Sequence, residues 1–264
     1  MTPLVAGTLP PMDRRPRVAA CFGGGGAFGI GFNLGVARAL MEAEIPITAG
    51  PMLGTSAGAW TAASLAVGVG LADIEATWRN TPQPGTTRVI ELTRPLFRDT
   101  RDPRVSTMAI RLPIPYPVAL PGKDHDLADQ VAASSSPPRL AVPHRIGRHR
   151  YVDAGVLTTT SADRAPSADL LVVVAPLAGP VLGRYGAFTA RVVAYEMMRW
   201  RMGGGQVLYV RPNRAVGALA GTRAADLLES ERARPTYVAA YELGKRCADR
   251  FWTKHEPLAR HLAV

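Results

Sequence analysis

A serine between two glycines, in Gly54-Thr55-Ser56-Ala57-Gly58, is the pattern in this sequence best suited to chemistry. Pro51-Met52-Leu53 leads into it as a strand end, and an Ala-rich run from Ala59 to Leu65 follows as a helix. A serine at so abrupt a strand-to-helix turn has the setting of a nucleophile elbow. A side chain at Gly54 or Gly58 is expected to collide with the neighbouring strand or helix, which glycine avoids. The serine hydroxyl would then sit at a helix N-terminus, where backbone N–H groups and the helix dipole favour developing negative charge. Ordinary helices in Ala/Gly-rich chains also begin this way, so other residues must converge on Ser56 before the pattern carries meaning.

Two further segments do so. Arg17-Val18-Ala19-Ala20-Cys21-Phe22 reads as a buried strand and Phe32 to Glu42 as a packed helix, with Gly24-Gly25-Gly26-Ala27-Phe28-Gly29 between them. Such a turn presents unpaired backbone N–H groups in a concave arrangement that binds an anion, either a tetrahedral oxyanion or a phosphate. The spacing Gly24-x-Gly26-x-x-Gly29 formally satisfies the dinucleotide fingerprint, which also expects an acid about 20 residues onward at the end of a second strand. Here Glu42 and Glu44 fall at the end of the first helix, and the next strand runs straight into the Ser56 turn. Further on, Arg150-Tyr151-Val152-Asp153 reads as a strand ending on a carboxylate, with Ala154-Gly155 as its turn. By itself that is common turn chemistry; with the other two segments it supplies a base. A carboxylate in a water-poor cleft becomes more basic and can act on a serine hydroxyl by position.

In their order along the chain, the glycine-rich turn, the Gly-x-Ser-x-Gly elbow and the later Asp-x-Gly after a Tyr-Val strand resemble the patatin-like phospholipases. The similarity runs from about Val18 to about Pro176 and includes Ala133-Ser134-Ser135-Ser136-Pro137-Pro138 ahead of the Asp strand. The resemblance implies that Ser56 is the nucleophile, Asp153 its partner in a Ser-Asp dyad without histidine, and Gly24, Gly25 and Gly26 the oxyanion hole. It further implies a serine acyl hydrolase that cleaves lipid carboxylic esters through an acyl-enzyme. Three positions depart from the pattern: Phe28 stands where the family usually has a basic residue, Ala154 where it has glycine, and Leu157-Thr158-Thr159-Thr160-Ser161 lacks the usual Asn-x-Pro. The rival mechanism, a Ser-Asp-His triad, needs a histidine after the acid; only His255 and His261 qualify, since His125, His144 and His149 precede Asp153. His144 and His149, among Arg145, Arg148 and Arg150, read as part of an exposed basic loop. Two further alternatives are a non-catalytic lipid- or nucleotide-binding module on the same fold and an esterase or thioesterase for soluble acyl esters.

The elements that must position these residues alternate strand and helix. The near-continuous apolar run Asp169 to Ala175 suits a parallel strand buried on both faces. Thr189 to Met202 reads as a helix stopped by Gly203-Gly204-Gly205, Gln206 to Val210 as a strand, and Pro235 to Phe251 as an amphipathic helix. The expectation is therefore an α/β fold, a single domain at 17–264 with a mostly parallel central sheet flanked by helices, behind a flexible segment at 1–16. With 264 residues, 47% hydrophobic and 20% charged, the chain can bury one sizeable core. Two cysteines, Cys21 and Cys247, form neither a disulfide framework nor a metal-ligand spacing, and no cofactor or metal is implied. Without a signal-peptide pattern or a span of about 18 apolar residues, a soluble cytoplasmic protein, or one attached peripherally to a membrane, is expected. The formal charge of +10 carries no helix-turn-helix, zinc-finger or stacking-platform pattern, so nucleic acid is not an expected partner. Seven arginines from Arg79 to Arg111, beside an apolar Pro-rich stretch, suit either a cap facing anionic lipid or a solvated face. Oligomeric state is left open.

Overall fold

The apolar runs become strands because their successive residues must face opposite sides of a sheet, and in this chain both sides are covered. The computed structural model describes residues 16–80 and 88–254. Its strands are β1 (Val18–Phe22), β2 (Met52–Thr55), β3 (Val105–Leu112), β4 (Tyr116–Pro121), β5 (His144–Ile146), β6 (His149–Asp153), β7 (Leu170–Val174) and β8 (Gln206–Val210). Its helices are α1 (Gly26–Glu42), α2 (Ala57–Val67), α3 (Leu71–Asn80), α4 (Ile90–Phe97), α5 (Leu127–Ser134), α6 (Arg184–Arg201), α7 (Arg214–Ala218) and α8 (Ala233–Lys254). Short 3-10 turns follow Asp153 and Ser161 and lead into α8.

One sheet runs β5-β6-β3-β2-β1-β7-β8, with β4 paired to β3 off that path. The five strands from β3 to β8 are parallel, and β4, β5 and β6 extend the β3 end antiparallel. The chain thus has an α/β fold with a mostly parallel central sheet flanked by helices. Alternation decides which residue serves which layer. Val18, Ala20, Phe22, Val172 and Val174 face a core with α1, α2, α5 and α8, whereas Ala19, Cys21, Leu171 and Val173 face Val193, Met197 and Trp200 of α6.

The register of β3 brings two distant segments together. Because β4 occupies one edge of β3 from Ser106 to Arg111, β2 and β6 share the other edge and run toward each other. Thr55 stands opposite Met108 and Asp153 opposite Ala109, so the C-terminal ends of β2 and β6 abut.

Helix α1 begins at Gly26, six residues before the helix expected from Phe32, and it is buried on nearly all sides. Its partner α8 lies so close that a Cβ at Gly31 or Gly35 would fall 2.1 Å from the Ala233 carbonyl oxygen or 2.3 Å from that of Tyr237. Of the basic segment from Arg79 to Arg111, residues 81–87 lie outside the described residues; Arg79 lies in α3, Arg94 in α4 and Arg111 in β3. Several of its charges are paired: Arg94 with Asp99 and Asp129, Arg101 with Asp126, and Arg104 with Asp102. The Pro-rich stretch after it forms the turn into β4, an edge strand whose Pro117 and Pro121 owe the sheet no further hydrogen bonds. His144 differs from its expected place in an exposed loop. It lies in β5, largely shielded, with Nε2 at 2.9 Å from the Asp129 carboxylate. Among the described residues no single helix is long and apolar enough to cross a membrane; α2 and α3 qualify only as a pair bent by 119°.

Candidate active site

Ser56 is the one residue between β2 and α2, and its backbone sits at φ 53° and ψ −117°. Non-glycine residues avoid this region, at a cost on the order of 1–3 kcal/mol, unless their surroundings enforce it. The flanking glycines enforce it here. A Cβ at Gly54 would lie 2.3 Å from the Gly58 carbonyl oxygen, and one at Gly58 only 1.8 Å from that of Phe22. The first turn of α2 therefore packs directly on the end of β1, as expected for both elbow glycines.

The Ser56 N–H donates to Ser134 Oγ at 2.9 Å, and the Ser134 hydroxyl donates in turn to the Met108 carbonyl at 2.6 Å. Two residues further on, the Ser136 carbonyl accepts the Asp153 N–H at 2.9 Å. The end of α5 thus grips both strand ends at the point where they abut on β3. The sequence carries Ser134 and Ser136 in an Ala-Ser-Ser-Ser-Pro-Pro run with no chemical signature of its own, which is why neither emerges as a site residue from spacing.

Asp153 is only 6% exposed. Burial pushes its carboxyl up to about 6 from an ordinary 3.8, while hydrogen bonds from the Ser56 side chain and the Gly155 N–H, the latter 2.7 Å from Oδ1, pull it back. At neutral pH the group is a carboxylate with weakened solvation and a serine as its hydrogen-bond partner. His125, His144 and His149 are not among the partners that act on Asp153, and His255 and His261 lie outside the described residues.

The glycine-rich turn lies against Ser56, with one correction to the expected hole. Gly24 donates its N–H to the Thr159 carbonyl at 2.7 Å, so that amide is engaged within the protein. The third strand-end loop, after Asp153, takes it. What Gly24 supplies instead is room: a Cβ there would lie 3.3 Å from Ser56 Cβ. Gly25 at φ 148° and Gly26 at φ 60° turn the chain into α1, and their N–H groups have no protein acceptor among the described residues. Such free amides at a helix start are the donors an oxyanion needs. Phe28 is fully buried against Leu177, Val181, Ala220 and Leu227, so its side chain belongs to a small core.

A second missed residue is Glu196 on α6, only 5% exposed. It accepts from the Thr158 hydroxyl and from the Ala162 N–H at 2.9 Å, and burial raises its carboxyl above the usual range. Glu196 thereby holds the loop whose Thr159 carbonyl engages Gly24. Its signal in sequence is a lone acid in an arginine-rich helix, on the same face as Val193, Met197 and Trp200. At the N-terminus of α6, partial burial raises the Tyr185 hydroxyl, and the negative charge of Asp153 adds a smaller effect. Among the described residues no group of three or more His, Cys, Asp or Glu side chains forms a metal site.

No family model matches the sequence, and neither does any curated protein. Among solved structures, VipD from Legionella pneumophila is similar at a TM-score of 0.47 and 13% identity, over 89% of this chain and 67% of VipD.

Proposed function

We propose that this protein is a serine acyl hydrolase acting on lipid carboxylic esters through a Ser56-Asp153 dyad. The observation that carries the reading is the juxtaposition of a strained, elbow-mounted serine with a buried carboxylate whose proton affinity is raised to about 6. Ser56 Oγ attacks the ester carbonyl carbon while its proton passes to Asp153; the carbonyl oxygen becomes an oxyanion facing the Gly25 and Gly26 amides. Collapse of the tetrahedral species breaks the ester C–O bond, and Asp153 returns the proton to the departing alcohol. Water then attacks the acyl-enzyme with Asp153 again as base, releasing the acid and restoring Ser56. A carboxylate with weakened solvation suits this dual role, because its affinity for the proton lies nearer to working pH than that of a free aspartate.

The decisive experiment is labelling with a fluorophosphonate probe, followed by peptide mass spectrometry and hydrolysis of a short-chain p-nitrophenyl ester. Modification confined to Ser56, with hydrolysis lost in folded Ser56→Ala and Asp153→Asn, is the expected result. An unlabelled Ser56, or substantial turnover in folded Asp153→Asn, overturns the dyad; the second outcome would point to His255 or His261.

A further inference from the structure

Helix α6 is the helix whose Val193, Met197 and Trp200 cover the second face of the sheet, and its outer side has a composition unlike an ordinary solvated face. Tyr185, Phe188, Tyr195 and Met198 are exposed there, and Met202 just after the helix joins them; Phe188 is 63% exposed and Met202 83%. Arg184, Arg191, Arg199 and Arg201 are the charged residues on that side, all exposed. Arg199 has a distant ion pair to Asp163 at 3.9 Å, and the helix's own acid, Glu196, points inward. A water-facing helix normally mixes acids and bases and carries few large apolar groups. This one presents aromatic, methionine and arginine side chains together, the pattern of a helix lying in a lipid interface.

The apolar surface continues to the candidate site. Val156 and Leu157, three and four residues after Asp153, are 57% and 60% exposed, and the adjacent Thr158 is tied to α6 through Glu196. We infer that the outer face of α6, with Val156 and Leu157, docks the protein on an anionic lipid surface and turns the mouth of the site toward the bilayer. Charge selects this occupant over a second copy of the chain. A two-fold dimer through α6 would bring arginines toward arginines, whereas phosphate head groups pair with them and acyl chains receive the rings and methionines.

The inference deepens the reading of the site as a lipid hydrolase, and its test is arranged so that the two fail separately. Full-length Ser56→Ala protein is sedimented with vesicles of phosphatidylcholine alone and with 30% phosphatidylglycerol, while hydrolysis of a soluble p-nitrophenyl ester is measured in parallel on variants that keep Ser56. Stronger binding to the anionic vesicles is expected, weakened by salt. Phe188→Ser and Met202→Ser should each reduce that binding about tenfold, and Arg191→Gln about fivefold, with soluble-ester hydrolysis unchanged in all three. Phe188→Trp, which retains the apolar bulk, should bind normally and be quenched by brominated lipid. Equal binding to both vesicle types, unaltered binding in the α6 variants, or an unquenched Trp would overturn the docking surface. So would a concentration-dependent dimer, without vesicle binding, that the same substitutions dissociate. Absence of ester hydrolysis with α6-dependent binding intact would instead remove the hydrolase reading alone.

Discussion

At the scale of single residues, Asp153 makes two measurable demands. Its carboxyl holds a proton up to about pH 6 in the folded protein, whereas the unfolded chain releases it near 3.8. The folded state therefore binds this proton more tightly. The stability difference is fully present below pH 3.8, declines as pH rises through the window to 6, and is lost above it. Asp153→Asn should accordingly stabilise the protein on the order of 3 kcal/mol at pH 7.5 and change little at pH 3.5, which thermal melts at the two pH values will decide. For catalysis the sign is opposite, because the base is the ionised form: kcat/KM for a soluble ester should rise with pH on a limb centred near 6. A flat profile from pH 5 to 8 would exclude Asp153 as the base. The serines after α5 give a paired contrast. Ser134→Ala leaves the Ser56 N–H and the Met108 carbonyl unpaired and should destabilise by about 2 kcal/mol while slowing turnover. The Ser135 hydroxyl is buried without a partner among the described residues, so Ser135→Ala should stay within about 0.5 kcal/mol of the parent.

At the scale of elements, glycines mark where backbones touch, and their substitutions should separate fold from function. Gly58→Ala sets a methyl 1.8 Å from the Phe22 carbonyl oxygen and should prevent soluble expression. Gly68→Ala, at φ 75° with open space around it, should lose only about 1–2 kcal/mol. Gly24→Ala falls between the two: the new methyl meets Ser56 Cβ at 3.3 Å without a forbidden φ, so the protein should fold yet lose on the order of 10²-fold in turnover. Much of this architecture is legible in sequence. Strands β1, β2, β7 and β8 are apolar runs with clear turn residues at their ends, β6 is legible as a Tyr-Val pair that ends on Asp-x-Gly, and α2 and α8 have helical composition. What escapes local pattern is set by tertiary context. Gly26 to Gly31 reads as loop because glycine is a poor helix former, yet α1 needs those glycines to approach the Ser56 turn and α8. Strand β4 is masked by its prolines, which an edge strand tolerates. The Gly24 amide looks free until Thr159, far along the chain, is folded over it.

At the scale of the whole molecule, Ser56 and Asp153 take their positions from the register of β3, the end of α5 and the α6-bound loop, three parts that sequence spacing does not connect. The resemblance in motif order reaches Ser56 and Asp153 through the strand ends they mark and takes in the Ser134 run without giving it a role; it does not reach Glu196 or the exposed side of α6. The glycine-tight crossing of α1 and α8 has a further consequence during synthesis. Helix α1 leaves the ribosome well before α8, the surface that shields it. A nascent chain thus carries Ser56 without that shield until α8 has emerged, and reactivity of the serine should appear only then. Ribosome-bound chains stalled before Ala233 should resist the fluorophosphonate probe, and chains from which α8 has emerged should accept it; labelling of the stalled chains would show that the turn is assembled without α8.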